Sequence, residues 1–328
     1  MKPALLIETK RNNISEKQHF GFIIVVDKKE NIISKIGDDK NKNFWFRSAA
    51  KPLQASLIIK SGAFDKFGFT LEELAVCCAS HTGTEQHTET VLSVLNKINL
   101  SEEKLQCGIH APIDKETCEN LIRNNITATQ LHNNCSGKHA GMLAVCIANG
   151  WDIQNYLDFE HSLQKEITKI IATFCNFDEK NINIGIDGCS APVHALPLSK
   201  MGTGYINLFS DPNYENLKNA VSKNPVLIGG NGRLDTEIIK ASSGKLISKV
   251  GAEGLCITIN TESEQTLIVK ILDSDYKARS VATINALKQL NWLSEEDIEK
   301  NEIKKLYNFE IKNWKKQIVG KINTCFKI

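Results

Sequence analysis

Two residues, Ser48 and Lys51, have the types and the spacing of a serine nucleophile and its base. They are three positions apart in a segment with apolar residues at helical spacing, so both side chains would lie on one helix face. A serine hydroxyl becomes a nucleophile when a base removes its proton, and a neutral lysine amine can act as that base. The same residues also fit an ordinary helix with Ser48 as its N-cap and Lys51 on its surface. The pair alone leaves both interpretations open.

A second hydroxyl group follows at Ser80, in residues 78–85, where an apolar helix passes into small and polar residues. A hydroxyl at this place can relay a proton between a lysine and a leaving group. The alternative is an ordinary helix end followed by a turn, and it is the simpler interpretation of the segment by itself.

A cysteine, Cys135, stands at the start of a predicted helix, with Lys138 and His139 three and four residues after it. The helix dipole and a nearby cation both favour the thiolate form of a cysteine in this position. Cys135 is therefore interpreted either as a reactive nucleophile or as a metal ligand. A phosphate-binding loop is excluded, because the glycine spacing that it requires is absent.

A strand-to-turn corner in residues 186–192 presents a carboxylate, Asp187, and a thiol, Cys189. Cys135 and Cys189 are the two cysteines in polar, glycine-flanked settings, and two thiolates with nitrogen or oxygen ligands would suit zinc. The sequence has no CxxC or HxxxH spacing, so this metal signal is weak without further information.

Lys270 lies in a predicted strand, residues 266–272. Because side chains alternate along a strand, Lys270 shares a face with the apolar Ile268 and Leu272. Either the strand is at a sheet edge and the ammonium group reaches water, or the lysine is buried and paired. Burial would lower the pKa of the amine and make it a candidate base.

The elements that must position these residues are strands at both ends of the chain and helices between them. Strands are predicted at 4–9, 20–27, 32–36, 245–250, 254–259, 266–272 and 317–326. This order favours an α+β fold, with an antiparallel sheet flanked by helices. We expect one domain over residues 1–328, with a helical subregion over about 50–180.

The composition is that of an ordinary globular enzyme or binding protein. Of the 328 residues 41% are hydrophobic and 24% are charged, and the net charge of +2 offers no electrostatic basis for binding nucleic acid. No apolar run approaches the length that spans a membrane, and the N-terminus lacks the apolar core of a signal peptide. Ten cysteines in such a chain are expected to be mostly reduced thiols, which predicts a cytoplasmic location.

Together, these segments resemble the asparaginase II family of rhizobial type, whose motifs stand in the same order. The motifs are Arg47-Ser48-Ala49-Ala50-Lys51-Pro52, Ala79-Ser80-His81, Cys135-Ser136-Gly137-Lys138-His139 and Asp187-Gly188-Cys189. The similarity extends from the N-terminal strands to the strand that holds Lys270. It implies a serine-β-lactamase-like fold, a homodimer, and hydrolysis of L-asparagine to aspartate and ammonia.

The resemblance also implies roles for individual residues. Ser48 would be the nucleophile with Lys51 as its partner, and Ser80 would form a second Ser-Lys pair with a lysine on the late strand, here Lys270. It further implies one zinc ion per chain, held by a three-residue set in which a neutral lysine is a ligand. This set is Cys135, Lys138 and Cys189.

The expected reaction is acyl transfer to Ser48, with backbone N–H groups at the helix N-terminus forming the oxyanion hole. From charge alone, Arg47 or His81 would bind the substrate α-carboxylate, and Asp187 its α-ammonium group. Two alternatives remain open. One is a related Ser-Lys amidase that acts on glutamine, a β-lactam or another small amide, and the other is a non-catalytic zinc or thiol sensor.

Overall fold

The computed structural model describes residues 1–328, except for the side chain of residue 301. Its centre is an eight-stranded antiparallel sheet in the order β10-β11-β1-β2-β9-β8-β7, with β3 paired to the second half of β2. A second, three-stranded sheet has the order β4-β6-β5. The strands are β1 (Ala4–Arg11), β2 (Ile14–Val26), β3 (Ile32–Ile36), β4 (Asn43–Trp45), β5 (Asn183–Ile186), β6 (Pro192–Pro197), β7 (Leu246–Gly251), β8 (Leu255–Asn260), β9 (Gln265–Ile271), β10 (Glu310–Lys312) and β11 (Ile318–Thr324).

The α-helices lie mostly between β4 and β7. They are α1 (Lys51–Lys60), α2 (Ala63–Lys66), α3 (Leu71–Cys77), α4 (Glu85–Lys97), α5 (Lys115–Arg123), α6 (Ser136–Asn149), α7 (Ser162–Phe174), α8 (Leu198–Ser210), α9 (Glu215–Lys223), α10 (Pro225–Ile228), α11 (Leu234–Ala241), α12 (Tyr276–Gln289), α13 (Glu295–Glu299) and α14 (Asn301–Leu306). The α+β class that the sequence predicts is therefore confirmed, and a helical subregion follows β4 as expected.

The alternation of side chains along β2 divides the core into two layers. Phe22 and Ile24 face a large apolar cluster that includes residues of α1, α3, α6, α7 and α8. Ile23 and Val25 face a smaller cluster with α11 and α12. Because successive side chains of a strand point to opposite faces of the sheet, β2 contributes to the core on both faces.

The large core brings the N-termini of α1 and α6 close to the end of α3. Gly137 of α6 lies so near that an added Cβ would be 2.1 Å from the carbonyl oxygen of Val76. Only a residue without a side chain allows this approach. The loops before α6 and after α3, which carry Cys135 and Ser80, therefore meet beside α1.

One local prediction is wrong: Ser48 is not the N-cap of α1. It lies inside a 3₁₀ turn, Arg47–Ala50, that runs directly into α1, and its hydroxyl makes no capping hydrogen bond. The turn is held from outside, because Tyr205 of α8 donates a hydrogen bond to the carbonyl oxygen of Ala49 at 2.7 Å. The Ser48 hydroxyl thus does not cap the start of the helix.

The helix α8 and the strand β6 before it were not predicted from the sequence. Gly202 and Gly204 lie within α8 and weaken its helical signal. The structure explains Gly202, because an added Cβ would be 2.6 Å from side-chain carbons of Ile268 and Val26 on the sheet. The helix needs this glycine to pack closely on β2 and β9.

Candidate active site

The turn that carries Ser48 has a strained backbone just before the serine. Arg47 has a φ of +50°, in the left-handed region that side chains other than glycine rarely adopt. Strain of this kind costs on the order of 1–3 kcal/mol and persists where the surrounding structure imposes it. The half-buried Ser48 lines a small pocket together with Lys51, Lys138 and Asp187.

Lys51 is only 1% exposed, so its amine must find partners inside the protein. It donates hydrogen bonds to Ser80 Oγ at 3.0 Å and to the carbonyl oxygens of Ala79 and Asn134. Within the described part of the chain, no hydrogen bond joins Lys51 to the Ser48 hydroxyl. The structure thus brings Ser48, Lys51 and Ser80 to one place, with Lys51 bonded directly to the second serine.

His81 is fully buried and uses both ring nitrogens within the protein. Nε2 lies 2.9 Å from Ser136 Oγ, and Nδ1 accepts a hydrogen bond from the backbone N–H of Gly83. The Ser136 hydroxyl in turn donates to the carbonyl oxygen of Leu131, so His81 Nε2 is the donor to Ser136. The substrate-binding role predicted for His81 does not fit these contacts, and the residue instead joins the Ser80 loop to the start of α6.

Arg47 and Asp187, the two other residues expected to bind substrate, form an ion pair. Arg47 Nε lies 2.9 Å from Asp187 Oδ1, and Arg47 Nη1 lies 3.7 Å from Glu253 Oε1. Glu253 was not identified from the sequence, although it lies two residues after the end of β7 and has a positive φ of +59°. One guanidinium group thus lies between two carboxylates at the rim of the pocket.

Lys270 lies beside this rim and not beside Ser80. Its amine donates to the carbonyl oxygen of Glu253, and it is half-buried. Burial lowers the pKa of Lys270, and the Glu253 carboxylate opposes that effect. The predicted pairing of Lys270 with Ser80 is not among the contacts of the described residues.

Another lysine, Lys249 on β7, is buried more deeply. It is 1% exposed, and its amine lies 3.0 Å from Asp235 Oδ2 of α11. Burial lowers the pKa of Lys249; the Asp235 carboxylate raises it, and the charge of Lys51 lowers it further. Lys249 was not identified from the sequence, although it shares a strand face with Ile247 just as Lys270 does with Ile268.

Strand β7 places Lys249 near the nucleophile turn. Its last residue, Gly251, is so close that an added Cβ would be 3.1 Å from the carbonyl oxygen of Phe46. Lys249 also shares its sheet face with Ile247, which belongs to the core that contains α1, α3 and α6. The buried amine therefore lies on the side of the sheet that carries Lys51.

The three residues expected to bind zinc are brought together and buried. Lys138 Nζ lies 2.9 Å from Cys189 Sγ, and a hydrogen bond from Cys189 holds the pKa of the Cys135 thiol well below its usual value. Burial alone would lower the pKa of Lys138, but the charges of the two cysteines and the hydrogen bond that Lys138 donates to Cys189 raise it. All ten cysteines are free thiols.

The donor set fits zinc in its chemistry. Two cysteine sulfurs and one amine nitrogen meet in a buried place, and zinc in proteins is bound by such sulfur and nitrogen ligands. A further nitrogen lies close: His139 Nε2 is buried without a hydrogen-bond partner among the described residues. No group of three or more histidine, cysteine, aspartate or glutamate residues in this described part could hold a metal ion. The fit therefore depends on lysine as a ligand.

Comparison with known proteins identifies the class and the family. The sequence profile of the L-asparaginase II family matches residues 7–324, almost the whole chain. No curated protein matches the sequence. The chain is an amidohydrolase, and the family indicates a small-molecule amide as its substrate. It belongs to the L-asparaginase II family.

Solved structures that resemble the chain are distant in sequence. A proposed β-lactamase from Bacteroides dorei DSM 17855 has 9% identity and a TM-score of 0.41, covering 77% of this chain and 85% of its own. A β-lactamase from Mycobacterium bovis has 10% identity and a TM-score of 0.43, covering 82% of this chain and 94% of its own.

Among the described residues, none of the helices combines the length and the apolar character that a membrane span requires.

The buried histidines of this region predict that the protein loses stability in mild acid. Burial lowers the pKa of His81 well below its ordinary value of 6.5. It also lowers the pKa values of His139 and His194, to about 4. Below pH 6.5 the unfolded chain binds protons at these residues and the folded chain does not, so unfolding becomes more favourable. At pH 5.5 His139 and His194 should each lower the unfolding free energy by about 1 kcal/mol, and His81 should act in the same direction.

The measurement is the urea midpoint at pH 7.5 and at pH 5.5. The interval lies above the ordinary pKa of carboxylates, so protonation of aspartate and glutamate contributes little to the difference. An unchanged midpoint would show that these side chains are not held neutral in the folded protein.

Proposed function

We propose that this protein hydrolyses L-asparagine to L-aspartate and ammonia through an acyl-enzyme on Ser48. The observation that carries the proposal is that Ser48 lines one pocket with Lys51, Arg47 and Asp187, in a chain of the L-asparaginase II family. A nucleophile, a lysine and a pair of opposite charges are the groups that hydrolysis of an amino-acid amide requires.

In the first step Ser48 attacks the side-chain amide carbon of the substrate. Lys51 must first give up one of the three protons with which it donates hydrogen bonds. Its amine then accepts the serine proton, and its contact with Ser80 Oγ offers a route by which this proton reaches the leaving nitrogen. Backbone N–H groups of the Arg47–Ala50 turn are the candidates for stabilising the negative charge on the oxygen. Water then cleaves the acyl-enzyme by the reverse series of proton transfers.

The rim would hold the zwitterionic end of the substrate. Arg47 is a guanidinium group that pairs well with a carboxylate, and Asp187 and Glu253 offer carboxylates to an ammonium group. When the substrate enters, its α-carboxylate and α-ammonium groups would replace part of the Arg47–Asp187 pair. This arrangement favours a free amino acid over an amide without charged groups.

We assign the second lysine of the mechanism to Lys249 rather than Lys270. Lys249 is buried on the sheet face that carries Lys51, and the two amines are near enough for the charge of one to lower the pKa of the other. Its positive charge would support proton delivery to the leaving nitrogen. Lys270, by its contact with Glu253, would hold the rim.

We also propose one zinc ion per chain, held by Cys135, Lys138 and Cys189, whose donor atoms suit it. Bound zinc would stabilise the thiolates and the neutral amine, and would tie the start of α6 to the 187–190 turn.

The homodimer that the resemblance to the family implies, the cytoplasmic location and the single domain stay predictions.

Replacing the nucleophile tests the activity directly. Ser48→Ala should reduce ammonia release from L-asparagine by a factor of at least about 1,000, because the proposed acyl-enzyme forms on the hydroxyl that this change removes. Ser263→Ala, at an exposed turn residue, is the matched control and should keep full activity. Glutamine and a chromogenic β-lactam are assayed in parallel. Near-normal asparagine hydrolysis by Ser48→Ala would exclude the mechanism.

Replacing each lysine separates their two roles. Lys249→Met is combined with Asp235→Asn, so that no buried carboxylate is left unpaired, and should lower kcat by about 100-fold. Lys270→Met should mainly raise KM, because it loosens Glu253 at the rim. Steady-state kinetics with asparagine gives both parameters. The opposite result, with kcat lost in Lys270→Met alone, would restore Lys270 as the catalytic lysine.

The zinc site is tested by metal content. The purified protein, dialysed against excess zinc and then against buffer, should hold one zinc ion per chain by elemental analysis. Cys189→Ala should bind almost none, whereas Cys325→Ala, at an exposed cysteine, should bind as much as the unmodified protein. Zinc retained by Cys189→Ala would contradict the proposed ligand set. Loss of zinc by chelation without loss of activity would make the metal structural and exclude the sensor function.

A further inference from the structure

A buried histidine in the pocket of Ser48 has a nitrogen that no protein group uses. His194 of β6 is 1% exposed and lines this pocket. Its Nε2 lies 2.9 Å from the hydroxyl of Thr168 on α7. Among the described residues its other nitrogen, Nδ1, is buried and has no hydrogen-bond partner.

The contacts of Thr168 determine which nitrogen of His194 carries the proton. The Thr168 hydroxyl donates its single proton to the carbonyl oxygen of Gln164 at 2.9 Å. Toward His194 it can therefore only accept, so Nε2 is the protonated nitrogen and Nδ1 has a free lone pair. The ring is neutral, because burial and the charge of Lys138 lower its pKa to about 4. Nδ1 is thus a pure acceptor.

A second neutral polar group lines the same pocket. Gln54 of α1 is 9% exposed, and its side-chain amide makes no hydrogen bond to any other described residue. It offers one acceptor and two donors. A buried acceptor left unpaired costs about 1–3 kcal/mol, so His194 Nδ1 indicates a ligand group that supplies a hydrogen-bond donor, and the amide of Gln54 lines the same pocket.

The ligand group that matches these two side chains is a primary carboxamide. Its NH₂ has two donors, for His194 Nδ1 and the Gln54 oxygen, and its carbonyl oxygen can accept from the Gln54 nitrogen. A carboxylate has no donor for His194 and carries a charge that these neutral groups do not balance. The wall formed by His194 and Gln54 would therefore distinguish an amide from the acid that its hydrolysis produces.

We propose that His194 is a specificity-determining residue whose Nδ1 accepts a hydrogen bond from the carboxamide NH₂ of the substrate, with Gln54 as its companion. This inference rests on the proposed function and deepens it. It explains how the site can bind an amide and release the corresponding carboxylate. Both residues line the pocket of Ser48 and would take no part in proton transfer.

Two replacements of His194 distinguish the roles of its two ring nitrogens. Glutamine places its terminal NH₂ near the position of Nε2, so His194→Gln keeps the bond to Thr168 and loses the acceptor at Nδ1. Asparagine places its oxygen near the position of Nδ1, so His194→Asn keeps the acceptor and loses the bond to Thr168. The pair distinguishes a role toward substrate from a role in packing.

The experiment compares an amide with an ester of the same acid. For His194→Gln, kcat/KM for L-asparagine should fall about 10- to 100-fold, while kcat/KM for L-aspartate β-methyl ester, whose leaving group has no N–H, should stay unchanged. His194→Asn should lose less of its amide activity than His194→Gln. An equal fall for amide and ester, or no fall for either, would overturn the inference.

The outcomes also separate this inference from the proposed function. If the unmodified protein does not hydrolyse L-asparagine, the proposed function fails and the inference fails with it. If it does, the ratio of amide to ester activity decides the role of His194 alone.

A measurement without any change at His194 covers the case in which its variants do not fold. In Ser48→Ala protein labelled with ¹⁵N-histidine, L-asparagine should shift the resonance of one unprotonated histidine nitrogen, and L-aspartate should not. Equal shifts with both ligands, or none with asparagine at saturation, would contradict the inference.

Discussion

The buried amine of Lys51 is the constraint on which the arrangement of the site depends. A lysine that is 1% exposed must be surrounded by acceptors, because an unpaired charge inside a protein is very costly. Its acceptors come from Ala79, Ser80 and Asn134, on the loops after α3 and before α6. Since Lys51 directly follows the turn that carries Ser48, this one amine determines how the turn lies relative to both loops.

Two buried lysines, Lys51 and Lys138, line the pocket, a third, Lys249, lies on the sheet beside it, and each has a different kind of partner. Lys51 is held by carbonyl and hydroxyl oxygens, Lys138 by the thiol of Cys189, and Lys249 by the carboxylate of Asp235. Each partner stabilises the charge to a different degree and leaves the amine suited to different chemistry. A carboxylate next to a lysine favours the cationic form of the amine. Thiolates next to a lysine could instead bind a metal ion together with the neutral amine. One residue type can thus serve three purposes within one site.

The pocket changes character from its rim to its inner wall. At the rim a guanidinium group lies between the carboxylates of Asp187 and Glu253. On the wall, the neutral side chains of His194 and Gln54 have unused hydrogen-bonding groups among the described residues. Opposite charges outside and neutral polar groups inside match a small molecule with a zwitterionic end and an uncharged amide.

The amino-acid sequence by itself determined the fold class, most strands and helices, and the residues around Ser48, Ser80, Cys135 and Cys189. These follow from side-chain periodicity and from short motifs, which are local properties of the chain. Pairing between distant residues is not local. Lys249 and Lys270 each stand two residues after an isoleucine in a strand, and only the packing of α11 against β7 buries Lys249 beside a carboxylate.

The same reason explains the other differences between sequence and structure. An unpaired nitrogen such as His194 Nδ1, or the use of both His81 nitrogens inside the protein, depends on which side chains meet across the core. The sequence thus determined which groups are present for the chemistry. The tertiary structure decided which of them are buried, paired or left free, because burial and pairing are properties of contacts between distant parts of the chain.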